Sequence, residues 1–246
     1  MTILNLNNIS KNFGAIEALK DINFSLDKGQ VVGLMGDNGA GKSTLIKIIA
    51  GVFQATSGKI LYNDKQVNFS KPIDARNSGI EVVYQDLALC DNLTAAANIF
   101  LSRELFKKFF YFSFLDYKKM YDVSQNLFNE LKSETRPRDL VKSMSGGQRQ
   151  AVAIARTKLT DAKIVLMDEP TAAISVRQVA EVLDYIRQLR DQGISIILIS
   201  HRMPDVFGVS DRIVVLRRGN KVADKKIADS SPEEVTGLIT GALESA

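Results

Sequence analysis

Gly36-Asp37-Asn38-Gly39-Ala40-Gly41-Lys42-Ser43 is the stretch through which the rest of the chain is read. It fits G-x-x-x-x-G-K-[ST], in which a glycine-rich turn lets backbone N–H groups converge on an oxyanion. In that pattern the lysine reaches the β- and γ-phosphates and the hydroxyl binds Mg²⁺. The flanks agree. Gln30 to Met35 is an apolar run of buried-strand type leading into the loop. Lys42 to Ala50 reads as a helix, with Leu45, Ile46 and Ile49 on one face and Gly51 as its stop. Strand, loop and helix set the anion at a helix N-terminus, where orphan N–H groups and the dipole favour negative charge. The expected ligand is a nucleotide, held by the loop residues Gly36, Asp37, Asn38, Gly39, Ala40, Gly41, Lys42, Ser43 and Thr44.

The bulk numbers are compatible with this. A chain of 246 residues can bury one substantial core, or a core with an appended subdomain. Its composition, 45% apolar and 24% charged, is that of an ordinary globular protein. A net charge of +4 is too mild to argue for nucleic acid or a membrane as partner. Cys90 is the single cysteine, which rules out an internal disulfide and reads as a small buried hydrophobe. Met1 to Leu6 lacks a basic segment ahead of an apolar one, and no run approaches ~18 apolar residues, so a soluble cytoplasmic protein is expected.

Along the chain, strand-like runs alternate with turns up to about residue 85: Thr2–Leu6, Ile22–Leu26, Val31–Met35, Lys59–Tyr62 and Glu81–Tyr84. The block 88–157 reads as helical. From Lys163 the βα alternation returns, with a strand at Ile164–Met167, a helix over 176–192 and a strand over 194–200. Near-continuous apolar strands imply a parallel sheet covered on both faces. The expected organisation is a single domain, with 1–87 and 158–246 forming its core and 88–157 an inserted helical subdomain. Ser231-Pro232-Glu233-Glu234 marks the start of a closing helix.

Asp168 and Glu169 follow an apolar strand, whose C-terminal end faces the ligand crevice in a parallel sheet. The first can hold Mg²⁺ and the second can act as base for an attacking water. Ser145-Gly146-Gly147-Gln148 opens another amphipathic helix and offers a second anion-binding N-terminus. One nucleotide with two such ends has a spare, unless two copies pair head to tail.

Walker A loop 36–43, glutamine Gln85 after a strand, Met144-Ser145-Gly146-Gly147-Gln148, Asp168-Glu169-Pro170 and the lone histidine His201 occur in that order. With them the chain resembles the ATPase subunit of an ATP-binding-cassette (ABC) transporter over nearly its whole length. The resemblance implies an α/β P-loop fold with an N-terminal antiparallel β portion and an inserted α-helical subdomain. It implies that Ser43, Gln85 and Asp168 organise Mg²⁺, that Glu169 polarises water and that His201 senses the γ-phosphate. Ser145, Gly146, Gly147 and Gln148 would meet the nucleotide of a second copy. Phe13, in Lys11-Asn12-Phe13-Gly14, would lie against adenine, the alternative being a place in the core.

Finer features, namely Ala153-Ile154-Ala155-Arg156, Thr171-Ala172-Ala173 and Ser200 to Phe207, are similar to the monosaccharide-import branch. That likeness implies separate permease subunits, an extracytoplasmic sugar-binding protein, a homodimer, no nucleic acid, and a place on the inner face of the cell membrane. Exporters and DNA- or ribosome-associated cassette ATPases stay open as alternatives. Where many cassettes carry Leu-Asp, this chain has Ile174-Ser175, a departure shared with the sugar branch. The aromatic segment Leu105 to Tyr117 is either packed within the helical block or exposed against a membrane partner or lipid.

Overall fold

The computed structural model describes residues 1–172 and 174–244, apart from the side chain of Phe109. The chain begins with β1 (Thr2–Phe13), β2 (Ile16–Asp27), β3 (Val31–Met35) and α1 (Lys42–Ile49). β4 (Ser57–Tyr62), β5 (Lys65–Val67), α2 (Pro72–Asn77) and β6 (Ile80–Val83) follow. Next come α3 (Ala95–Ile99), β7 (Phe106–Phe109), β8 (Phe112–Leu115), α4 (Tyr117–Glu130) and α5 (Gly146–Lys158). The last elements are β9 (Ile164–Asp168), α6 (Val176–Asp191), β10 (Ser195–Ile199), α7 (Met203–Val209), β11 (Arg212–Arg217), β12 (Asn220–Lys226) and α8 (Pro232–Thr240).

Two compact units emerge. The first comprises Met1–Val82, Ala162–Pro170 and Ile186–Ala246; the second comprises Val83–Asp161 and Thr171–Tyr185. In the first unit β1, β2, β4 and β5 form an antiparallel sheet in the order β2-β1-β4-β5. A six-stranded sheet runs β12-β11-β3-β10-β9-β6. There β3 pairs in parallel with β10 and β11, and β10 with β9, while β12 is antiparallel. Every residue of β3, β9 and β10 is buried, which is why these strands read as unbroken apolar runs rather than alternating ones. Leu45, Ile46, Ile48 and Ile49 of α1 join Leu34, Leu166, Ile197 and Val214 in the main core.

The second unit is built on α3, α4 and α5, around Ile99, Phe100, Met120, Phe128, Val152 and Ala155. Helix α4 buries Met120, Ser124, Leu127 and Phe128, and Asp116 caps it by accepting from the Lys119 N–H. Its loops are tied by backbone bonds: Ala95 N–H donates to Asp139 O, Val141 N–H to Leu93 O and Lys142 N–H to Asp91 O. Arg149 adds a 2.8 Å bond to Asp91. The segment after Gln85 is thereby sewn to the segment that enters α5.

Two sequence readings change. The stretch within the block read as helical, Phe106 to Leu115, is a β-hairpin, with Lys107 opposite Phe114 and Phe109 opposite Phe112. Six aromatics with interspersed lysines carry the β propensity that this segment obeys. Cys90, read as a buried hydrophobe, is half-buried instead. It sits in the loop ahead of α3, where its backbone bonds the fully buried Asn98 in both directions: Cys90 N–H donates to Asn98 Oδ1 and Asn98 Nδ2 donates to Cys90 O. The expected closing helix begins where read, with the Ser231 hydroxyl accepting from the Glu234 N–H.

Candidate functional site

Because β10 lies between β3 and β9 and all three run in parallel, their C-terminal ends emerge side by side. The loop after β3 carries Gly36–Ser43, β9 ends at Asp168 with Glu169 next, and His201 follows two residues after β10. This is the crevice where open α/β sheets take their ligands. Three segments far apart in sequence thus deliver their polar groups to one place within the first unit.

The loop's geometry requires its glycines. Gly36 and Gly41 have φ of 152° and 103°, and a Cβ on Gly41 would lie 2.6 Å from Leu19 Cδ2 and 2.8 Å from Ala18 O. Gly41 also occupies the cap position of α1 and offers no side chain, so nothing of its own covers the first N–H groups of that helix. Lys42 donates to Gly36 O at 2.8 Å and to Asp37 O at 2.9 Å, which curls its ammonium over the loop. Burial pulls the Lys42 pKa down, and the carboxylates of Glu169, Asp168 and Asp37 oppose that. A half-buried cation at a helix end with no side-chain cap fits a phosphate group.

Glu169 is held hard. Its N–H donates to Ile199 O at 2.9 Å, and its backbone has a left-handed φ of 53°. A non-glycine residue is seldom found there, and such strain concentrates at working sites. Its side chain is 9% exposed, with Oε1 lying 2.6 Å from His201 Nδ1, whereas the imidazole is 69% exposed. Burial raises the Glu169 pKa, with His201 offsetting part of the rise. A carboxylate drawn toward neutrality while an imidazole orients it has the character of a general base. Asp168 is itself buried at the end of β9. Among the described residues no cluster of three His, Cys, Asp or Glu side chains could enclose a metal ion. A divalent ion next to Ser43 and Asp168 would therefore complete its shell with phosphate oxygens and water, as Mg²⁺ commonly does.

Phe13 ends β1 and is 43% exposed, so it is not a core residue. It meets Phe53 edge to face at 5.3 Å, with Lys11 Nζ 5.0 Å from its ring centroid. An exposed ring braced by a second ring suits stacking on a flat base.

The second unit holds the remaining predicted residues. Gln85 is exposed in the turn after β6. Ser145 caps α5 in a reciprocal box: its hydroxyl accepts from Gln148 N–H while Gln148 Oε1 accepts from Ser145 N–H at 2.9 Å. In this box the Ser145 and Gln148 N–H groups, the Ser145 hydroxyl and the Gln148 amide oxygen are already engaged. The N–H groups of Gly146 and Gly147 are the ones the box leaves over.

Sequence reading missed a second box of the same kind. Ser175 N–H donates to Gln178 Oε1 at 3.0 Å, and the Ser175 hydroxyl accepts from the Gln178 N–H. Serine is a good cap, and Ser175 serves as one here. Gln178 also lies so close to Gly147 that a Cβ there would overlap its amide. The pattern Ser-x-x-Gln occurs at both places and was the available signal. The two boxes line a cleft of about 340 Å³ with Gln150, Ile154, Val182 and Tyr185. Ala173, between the acidic strand end and this box, lies outside the described residues.

A family model described as ABC transporter matches residues 19–172. The chain belongs to the ABC transporter family. It is 44% identical over 239 residues to the xylose/arabinose import ATP-binding protein XylG of Sulfolobus acidocaldarius, covering 97% of this chain and 94% of that one. It is 40% identical over 239 residues to the ribose import ATP-binding protein RbsA of Yersinia pestis, covering 97% of this chain and 46% of that one. The chain thus spans about half the length of the ribose-import relatives. Among solved structures, a nucleotide-free ATP-binding cassette from an ABC transporter superposes with a TM-score of 0.81 at 26% identity, over 98% of this chain and 96% of that one. The expected fold, a P-loop cassette core with an antiparallel β portion, is the one observed.

Proposed function

We propose that this ABC cassette is the ATP-hydrolysing subunit that energises import of a monosaccharide through separate membrane permease subunits. The observation that carries the hydrolytic part is the Glu169–His201 pair, 2.6 Å apart, at the end of the strand beside the Lys42 loop. The import part rests on the naming of the relatives at 37–44% identity, which are xylose/arabinose, ribose and galactose import proteins.

In this reading the N–H groups of the 36–44 loop and the Lys42 ammonium hold the β- and γ-phosphates, and Phe13 stacks on adenine. Ser43 and Asp168 would hold Mg²⁺, which when bound would neutralise charge developing on the phosphates. Glu169 takes the proton of the attacking water, and His201 fixes its carboxylate and faces the γ-phosphate. Two copies pair head to tail, so that the N–H groups of Gly146 and Gly147 in one copy complete the phosphate site of the other. The segment after Gln85 grips the permease, and its bonds to the residues entering α5 carry the motion of ATP closure as a rigid body. The chain works at the inner face of the membrane, with a sugar-binding protein on the far side and no nucleic acid partner. Among the described residues no helix is long and apolar enough to cross a membrane.

The test is to trap Glu169→Gln with Mg²⁺-ATP in solubilised membranes and identify what co-purifies. A multi-span permease with a sugar-binding protein is the expected result. Ribosomes or nucleic acid in their place would overturn import and leave the ATPase standing.

A further inference from the structure

The β7–β8 hairpin does something that packing does not explain. Its tip, Phe110-Tyr111, is a two-residue connection in which Phe110 has φ of 53°. Gly, Asn or Asp normally fills a left-handed hairpin position, because a bulky side chain there is strained. Here two aromatics occupy the tip instead, exposed to 86% and 100%, with Phe106, Phe112 and Phe114 also exposed. The register puts Phe112, Phe114 and Lys107 on one face, and the Phe112 and Phe114 rings are 6.3 Å apart.

Four lysines and three carboxylates (Glu104, Asp116 and Asp122) flank these rings, and the two lysines within the hairpin are both exposed. Lys107, Lys108, Lys118 and Lys119 are exposed, and among the described residues no ion pair engages them. Of the carboxylates, Asp116 accepts from the Lys119 N–H and Glu104 from the Ser102 N–H, and the hairpin strands themselves carry only lysines as charged residues. Exposed aromatics fringed by unpaired lysines match the border of an anionic bilayer, where rings settle at headgroup depth and lysines meet lipid phosphates. An apolar protein groove would match the rings but leave four ammonium groups unanswered.

We propose that the Phe106–Leu115 hairpin inserts its aromatic tip into the headgroup region of an anionic membrane, giving this cassette a lipid contact of its own. That contact is independent of the permease and of the identity of the cargo.

The chain contains no tryptophan, so Tyr111→Trp places a unique fluorophore at the tip. The full chain carrying it is mixed with vesicles of phosphatidylcholine alone or with added phosphatidylglycerol, at low and high salt. A blue shift and quenching by brominated lipid tails are expected with the anionic vesicles at low salt. Adding Lys107→Ala and Lys108→Ala should lower partitioning roughly fivefold per lysine. Phe110→Ser with Phe112→Ser should abolish sedimentation of the chain with vesicles, with the thermal midpoint and ATP turnover unchanged. No shift with anionic vesicles, or equal partitioning into neutral ones, overturns the proposal. So does a shift that requires a membrane protein in the vesicle, or one that grows with protein concentration in the absence of lipid.

Discussion

Helices α1 and α5 both begin at glycine-rich turns, and both look in sequence like anion sites, yet the structure finishes them differently. At α1 the cap position is Gly41, with no side chain to cover the helix end. At α5 Ser145 and Gln148 satisfy one another's backbone donors, leaving the N–H groups of Gly146 and Gly147 outside the box. A helix end that caps itself is stable alone and has donors to spare for a visitor. A bare one is stable only in its surroundings, here Leu19 and Ala18 against Gly41, and keeps its donors for a ligand. Under the proposed function, this difference would make α1 the primary phosphate grip and α5 a supplementary one.

That contrast can be broken at several points. The largest effect should come from Glu169→Gln, which keeps the geometry but removes the base. Turnover should fall by about 10³-fold in a steady-state phosphate-release assay, with ATP binding retained. Rapid hydrolysis by this variant would remove Glu169 from the base role. Next is Lys42→Ala, which takes the ammonium from the bare helix end; ATP affinity by calorimetry should drop roughly 100-fold. Undiminished affinity would mean that α1 is not the main grip. Smaller again is Ser145→Ala, which opens the box at α5 and should cost about 1 kcal/mol in urea unfolding. Nucleotide affinity of the isolated chain should not change, and a matching loss of affinity would erase the distinction between the two ends.

The smallest effect is in pH. The folded pKa of Glu169 lies above its ordinary value of 4.5 because burial disfavours the carboxylate. The folded state therefore holds this proton more tightly than the unfolded chain does, and stability declines as pH rises from about 4.5 through the raised value. Glu169→Gln should flatten that part of the thermal-midpoint profile and sit above wild type at neutral pH. Parallel profiles would show that the buried carboxylate costs the fold nothing.

Much of the first unit was legible in the sequence because its strands are buried on both faces. Val31–Met35 and Ile164–Met167 could only be central strands, and the acids that follow fell at the expected end. β1 was harder: it runs to Phe13 rather than Leu6, through register shifts that break the alternation of its inward residues. The hairpin escaped because its strands are four residues each, with both faces aromatic or charged, and no period of two survives. Within the candidate site, residue types were readable but engagement was not. The Ser-x-x-Gln spacing of Ser145 and Gln148 permits a capping box, but only the geometry shows that it forms.

His201 is the chain's single histidine, and its ring nitrogen lies against Glu169. In a magnetic-resonance spectrum this protein has just one imidazole, and it needs no assignment. Its ring signals, followed through binding, hydrolysis and release, would register each rearrangement at Glu169 without any label being added.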